Sequence, residues 1–422
     1  MKTWIKKAAP PAAQDRTRLE ETVRRMLADI AEGRDAAVKR YARELDKWES
    51  GEFRVPMDRI RKVEKALPDS FKDDLRYSIR QVTGFAKKQL ETLQDFETEI
   101  DPGIVLGQKM IPVERVGCYV PGGKFPLIAS AIMSVGTAKT AGVGTVTACA
   151  PPRDAEGMYP YTLYAMHAAG ADEIYDLGGV QAMASMVYGC VGMKPVDMIT
   201  GAGNPFVAEA KRQLFGQVGI DLLAGPTEIL VIADDAADPA LVATDLLGQA
   251  EHGPDSPAWL VTTSKRLGEA VLKEVERQLV TLPTRKTAEP AWRDHGEIVV
   301  VESDDEAIAV SDEYAPEHLE VMTARNDYYL AQLKNYGSLF LGEESTVAYG
   351  DKGVGTNHTL PTSRAARYTG GLWVGKFIKT VTWQRLTPAA SRRIAPVISR
   401  ICTAEGMLAH GITADVREKR YG

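Results

Sequence analysis

This sequence predicts an α/β fold built from two units of mainly parallel sheet. Three observations lead there. From about Gly117, short apolar runs bounded by Gly or Pro alternate with helical segments, clearest in VTACAPP, DEIYDLGG, VDMITGAGN and EILVIADD. Buried parallel strands have this texture, because both of their faces are covered. The alternation resumes in WLVTTS, EIVVVES, HLEVMT and GSLFLG, to about Leu341. Finally, several runs end in Gly-rich turns, and in such sheets the loops after the strands build the sites.

The N-terminal stretch MKTWIKKAAPPAAQDRTRLE is cationic but lacks the apolar core of a signal peptide, so residues 1–20 read as a short arm leading into a helix. From about Thr17 to Leu93 the pattern is helical. LEETVRRMLADIAEG carries apolar residues at helical spacing and stops at Gly33. GAGNPF follows the strand-like VDMIT and precedes the helical FVAEAKRQLF. It has the first two glycines of a dinucleotide fingerprint but Phe206 where the third would stand. A helix start there could still hold a pyrophosphate. VPGGKFPL, from Val120, is a second Gly-rich turn before an apolar helix. Beyond about Gly370 the Lys- and Arg-rich VTWQRLTPAASRRIAPVISRICTAEGMLAHG reads as a helical tail suited to docking or dimerisation.

The balance of 51 basic and 57 acidic residues, net charge -6, with the basic residues dispersed, argues against a nucleic-acid footprint. No apolar run approaches a membrane span. Cys118, Cys149, Cys190 and Cys402 form no CxxC pair, so a reduced, cytoplasmic setting is expected, with Cys118 and Cys149, beside or within apolar stretches, as buried thiols. Met183, Met186 and Met193 read as core.

Four stretches could carry chemistry. YAPEHLE sets Glu317 beside His318 just after Pro316. Pro suits a first helical turn, so the two are expected to open a helix, point apart and serve two different protons. The plain alternative is a helix start with a surface Glu and a half-buried His. LLGQAEHGPDS puts Gln249 and His252 on one helix face, where both could ligate zinc; a solvated helix end would look the same. AYGDKGVGTNHTLPT sets Asp351 in a Gly-rich loop, able to complete a metal site, with His358 in a following turn; a surface turn is the alternative. In TAEGMLAHG, Glu405 and His410 are five apart, too far round a helix to share a face well, and a mobile tail is the alternative.

Taken in order, CYVPGG, GGVQAMA, GAGNPFVAEAK, AGPTE, GQAEHG, YAPEHLE, DKGVGTNHTLPT and EGMLAH resemble the signature blocks of the histidinol dehydrogenase family, from about Ile111 to His410. The resemblance implies zinc held by Gln249, His252, Asp351 and His410, with His410 donated by the neighbouring subunit. It implies Glu317 and His318 as the acid/base pair. It sets His358, Glu405 and Thr227 against the substrate, Thr227 standing where Ser is usual, and Tyr119, Gln181 and Asn204 against NAD. It further implies two incomplete Rossmann-like domains in an intertwined dimer. On that reading residues 21–118 and 228–372 form one α/β domain, residues 119–227 the NAD-side domain, and residues 373–422 a dimerisation tail. The reaction implied is oxidation of a primary alcohol to a carboxylate in two hydride transfers.

Departures from the family pattern bear on the substrate. Val347 stands where histidinol dehydrogenases usually carry an acid, Lys352 where they carry Tyr, and TWQRL replaces TVQEL, adding Trp383 and Arg385. Loss of acid and gain of cation both favour a small anionic polyol, gripped by Lys352 or Arg385. With RYTGGLWVGK and VTWQR the chain looks like the family's sulfopropanediol dehydrogenase branch, whose members oxidise 2,3-dihydroxypropane-1-sulfonate to sulfolactate. Histidinol itself remains an alternative substrate. Outside the class, a zinc hydrolase or a metal-binding regulator that lost the chemistry also remains open.

Overall fold

The computed structural model describes residues 2–9, 16–122 and 125–422. In chain order the strands are β1 (Thr3–Lys6), β2 (Phe96–Asp101), β3 (Ile104–Pro112), β4 (Arg115–Tyr119), β5 (Thr145–Ala150), β6 (Glu173–Asp176) and β7 (Met198–Thr200). There follow β8 (Gly219–Ile220), β9 (Ile229–Ala233), β10 (Ala258–Thr262), β11 (Gly296–Val300), β12 (His318–Met322), β13 (Ser338–Leu341) and β14 (Ile378–Leu386). Each apolar run singled out in the sequence is one of these strands.

They assemble into three sheets. One has the order β1-β11-β10-β9-β12-β13, parallel except for the N-terminal β1, which pairs antiparallel with β11. The second, β6-β5-β4-β7-β8, is parallel throughout. The third, β14-β3-β2, is antiparallel and was not expected. In the parallel sheets the central strands are buried from end to end, as in β9 and β12, because helices cover both faces.

The cores show which segments belong together. Val23, Ile30 and Val38 of helix Arg16–Asp46 pack with Tyr119, Leu177 and Met183 on one face of the second sheet. Ile60, Leu75 and Val82, from helices Met57–Ala66 and Asp69–Leu90, pack with Val116 and Val146 on its other face. The N-terminal helices, expected to belong with residues 228–372, bury their apolar faces against the β4–β8 sheet. Helix Arg16–Asp46 breaks at Arg34 (φ 49, ψ -131), next to the Gly33 stop, and a second helical run continues to Asp46.

The C-terminal segment also differs from expectation. VTWQRL is not helical: it lies in β14, whose nine residues pair with β3 from Ile378 opposite Pro112 to Leu386 opposite Ile104. β-branched and aromatic residues alternating with polar ones favour a two-sided ladder over a helix. Helices Pro388–Ala404 and Leu408–Tyr421 then fold back on each other as a hairpin. Cys118, Cys149, Cys190 and Cys402 are buried free thiols, and burial pushes the Cys118 and Cys149 thiols up. No described helix is long and apolar enough to cross a membrane. The arm's residues 10–15 and the centre of VPGGKFPL, residues 123–124, lie outside the described residues.

Candidate active site

Glu317 and His318 do not open a helix. Helix Asp304–Tyr314 ends in left-handed Ala315, and after Pro316 and Glu317 the chain enters β12 at His318. The Pro316 and Glu317 carbonyls accept from the Gly337 and Ser338 amides (both 2.9 Å), so pairing with the start of β13 outweighs the local helix signal. A Cβ at Gly337 would lie 2.4 Å from the Glu317 carbonyl oxygen, which explains the glycine. The two side chains do not part company either: His318 Nδ1 lies 3.4 Å from Glu317 Oε2.

Both are buried, at 2% and 6% exposure. Glu317 Oε2 accepts from Thr227 Oγ1 (2.6 Å) and from the Glu228 amide (2.9 Å). His318 Nδ1 donates to the Glu228 carbonyl (2.9 Å), which fixes the tautomer. Nε2 is then left as the free acceptor. It has no hydrogen-bond partner among the described residues and lies 3.7 Å from Asp351 Oδ1. Burial opposes charge on this imidazole, yet Glu317 and Asp351 hold its pKa well above the ordinary value. These carboxylates favour the protonated ring, so Nε2 becomes a proton acceptor once a cation takes up the Asp351 charge.

The other expected residues meet here in part. Gln249 closes helix Pro239–Ala250, and His252 lies just past its end, so the two do not share a continuous helix. The Gln249 amide Nε2 is 2.7 Å from Thr227 Oγ1 and 3.1 Å from His318 Nδ1. Asp351 is not in a loop but in the short helix Val347–Lys352, which ends at Gly353. Burial works against its charge, but His318, His358 and Lys352 hold its pKa below the usual carboxylate range. Burial lowers the pKa of His252, with Asp351 and Glu317 pulling the other way. His358 Nδ1 donates to the Asp351 carbonyl (3.0 Å) and Nε2 faces Ser130 Oγ (2.9 Å), so both of its nitrogens are engaged. Lys352 Nζ is 3.7 Å from Asp351 Oδ2 on a side chain 59% exposed.

Among the described residues, Arg385, Glu405 and His410 form no hydrogen bond or ion pair with this cluster. Arg385 is exposed on β14, its guanidinium 5.2 Å from the Trp383 ring, and Glu405 and His410 are exposed on the C-terminal hairpin. Among the described residues no three His, Cys, Asp or Glu side chains gather to hold a metal ion. The local donors are His252 nitrogen, Asp351 oxygen and the Gln249 amide. That set suits a borderline cation needing one further ligand.

A cavity of about 700 Å³ leads to the cluster. Tyr119, Gln181, Asn204, Asp46 and Phe206 line it, and His252 stands at its wall. Tyr119, at the C-terminal end of β4, accepts from the Gly179 amide (3.2 Å), and burial pushes its phenol up to about 12. Gln181 donates to Asp46 (2.8 Å), while its buried Oε1 has no donor among the described residues. Asn204 caps helix Pro205–Leu214 through the Val207 amide (3.1 Å). The turn before it is built for close approach: Gly201 has φ 122, and a Cβ there would lie 2.1 Å from the Tyr119 carbonyl oxygen. Buried Lys211 and Asp221 form an ion pair that takes both the Gly201 carbonyl (2.8 Å) and amide (2.8 Å).

Sequence reasoning missed Glu228, Ser130, Asp46 and the Lys211–Asp221 pair. Glu228 stands beside Thr227 in AGPTE and could have been noticed. Ser130 and Asp46 carry no local signal, since only the fold brings them to the site.

Comparison with known proteins gives the family. The family model described as histidinol dehydrogenase matches residues 10–418. A histidinol dehydrogenase homolog of Shouchella clausii is 53% identical, covering 96% of this chain and 95% of its own. The sulfopropanediol 3-dehydrogenase of Ruegeria pomeroyi is 49% identical, covering 99% of this chain and 96% of its own. A crystal structure of histidinol dehydrogenase from Elizabethkingia anophelis superposes with a TM-score of 0.91 at 35% identity, over 98% of this chain and 94% of that one. Likeness and fold together define an α/β oxidoreductase. The chain belongs to the histidinol dehydrogenase family.

Proposed function

We propose that the chain is a zinc- and NAD-dependent dehydrogenase that takes a primary alcohol to a carboxylate in two hydride transfers, with 2,3-dihydroxypropane-1-sulfonate as substrate and sulfolactate as product. One observation carries the reading. The cavity lined by Tyr119, Gln181 and Asn204 runs to His252, so a dinucleotide in it would end beside His318 and Glu317.

Gln249, His252 and Asp351 would hold zinc, with His410 from a second copy of the chain. Bound there, zinc would polarise the alcohol oxygen and lower its pKa. His318, its Nδ1 spent on the Glu228 carbonyl, would take the hydroxyl proton at Nε2, and bound NAD would supply the acceptor for the hydride lost from carbon. Glu317 is fixed through Oε2 by Thr227 and the Glu228 amide and activates the water that hydrates the aldehyde through its other oxygen. A second hydride transfer gives the carboxylate. Thr227 and His358 would face the substrate, with Glu405 supplied, like His410, by a second copy of the chain. The anionic preference rests on Val347 and Lys352, the first and last residues of the helix that carries Asp351, and on 49% identity to a sulfopropanediol 3-dehydrogenase, whereas Arg385 stays exposed on β14 in the single chain.

The test is NADH formation by the zinc-loaded enzyme, with racemic dihydroxypropanesulfonate and L-histidinol in parallel. Roughly two NADH per sulfonate consumed, with histidinol inert, supports the proposal. Turnover of histidinol alone overturns the substrate, and absence of NAD binding overturns the reaction class.

A further inference from the structure

Three elements carry the centre of the site: helix Pro239–Ala250 brings Gln249, β12 brings His318, and helix Val347–Lys352 brings Asp351. One pair of side chains outside the chemistry touches all three. Glu320 lies two residues after His318 on β12 and so points to the same face of the sheet. It is fully buried, in a layer formed by Leu246, Met322, Phe340 and Val347. Its Oε1 accepts from the Val347 amide (3.0 Å), the first residue of the Asp351 helix. Asp245 lies one helical turn before Gln249 and accepts from Thr346 Oγ1 (3.0 Å), immediately before that same short helix.

The Asp245 and Glu320 carboxyl groups converge on adjacent residues, Thr346 and Val347, close enough for each to act on the other's proton. Two carboxylates offer no donor. Glu320 Oε2 is buried and receives no N–H or hydroxyl donor among the described residues. Strands β9 and β13 on either side carry no charged residue. The charged groups on the packed elements are His318 on β12 and, at the far end of the short helix, Asp351 and Lys352. A contact between two acids in an apolar layer needs one proton held between them. Burial, then the Asp245 charge, pushes the Glu320 carboxyl well above its ordinary range, in keeping with that proton. Position 347 bears the apolar side chain that departs from the family's acid. An acid nevertheless meets the start of this helix, supplied by β12.

We propose that Asp245 and Glu320 form a proton-sharing carboxyl pair that positions the elements bearing Gln249, His318 and Asp351 for the reaction proposed above, on which reading this role rests. The two are positioning residues and do not touch substrate.

The test uses the full-length, zinc-loaded enzyme and the variants Glu320→Gln, Asp245→Asn and Glu320→Ala. Either amide can donate to the remaining carboxylate, so both amide variants keep zinc and hold kcat within about threefold, since the hydrogen bond persists. Glu320→Ala leaves the Val347 amide unpartnered and Asp245 with Thr346 alone. It loses kcat by tenfold or more and loosens zinc, while the KM for NAD stays within about twofold, because the cavity is untouched. Melting temperature against pH gives a readout that bulk packing would not move. A raised folded pKa means stability is full below the unfolded value, about 4.3, and is lost as pH rises through the folded one. Glu320→Gln therefore melts over a flatter pH profile than the wild type. The proposal is overturned if Glu320→Gln is as damaging as Glu320→Ala, if Glu320→Ala is harmless, or if the profile of Glu320→Gln is as steep as the wild type. Should no alcohol be turned over, the proposed function fails, while zinc retention and the melting profiles still decide the pair.

Discussion

His318 Nε2 is the atom on which the proposed chemistry turns, and its availability is set by neighbours. The Glu228 carbonyl takes the Nδ1 proton, and Glu317 and Asp351 raise the ring's basicity. On that basis His318→Ala slows oxidation of the alcohol by roughly a hundredfold or more, the usual worth of a positioned general base. Oxidation of supplied aldehyde slows less. Glu317→Gln does the reverse, and steady-state rates on both substrates check the split. Equal losses on both would count against separate roles. A second prediction concerns Glu228. Its carboxyl accepts from the Ser363 amide (2.8 Å), but burial, with Glu317 nearby, pushes it up to about 7. The folded protein thus holds that proton more tightly than the unfolded chain, so the contribution is full below about pH 4.3 and fades as pH rises through about 7. It is on the order of 3 kcal/mol. Glu228→Gln, which keeps the acceptor for Ser363, should lose less stability between about pH 5 and pH 8 in denaturant titrations.

At the scale of elements, the decisive ones are strand ends and the turns after them. β4 ends at Tyr119 and β7 leads into Gly201, and the two turns meet at van der Waals distance because Gly201 has no Cβ. Gly201→Ala should push the turn off Tyr119 and the Lys211–Asp221 clamp, at a cost of about 1–3 kcal/mol from the left-handed backbone alone. The expected result is NADH affinity weakened by tenfold or more with zinc content unchanged, read by fluorescence titration and metal analysis. Element type was legible here wherever the apolar period was clear. It conflicted at YAPEHLE, where Pro316 suggested helix although HLEVMT read as strand, and it failed at VTWQRL, where a run of basic residues suggested helix. Both became strand because a partner was present, β13 and β9 for His318 and β3 for Trp383. Pairing with a distant strand is invisible to local propensity.

At the scale of the whole molecule, the C-terminal hairpin leaves large apolar side chains uncovered in the single chain. Ile401, Leu408, Ile412 and Val416 are 51%, 62%, 58% and 52% exposed. Such a stripe beside Glu405 and His410 favours a second copy as its cover, consistent with the proposed shared site. Mixing inactive His318→Ala and His410→Ala protomers under exchange conditions should then restore activity, because a hybrid dimer assembles one site free of both changes. No recovery, despite hybrid dimers detected by mass, would mean each chain completes its own site. The sequence by itself determined the α/β class, strands β5–β7 and β9–β13, and the residue types of the site, because apolar period and motif order are local properties of the chain. Only the tertiary structure decided that the N-terminal helices cover the β4–β8 sheet, that Glu317 and His318 converge on Thr227 and Glu228, and that Asp245 meets Glu320. Those outcomes depend on which surfaces are buried together, and burial is a property of the folded whole.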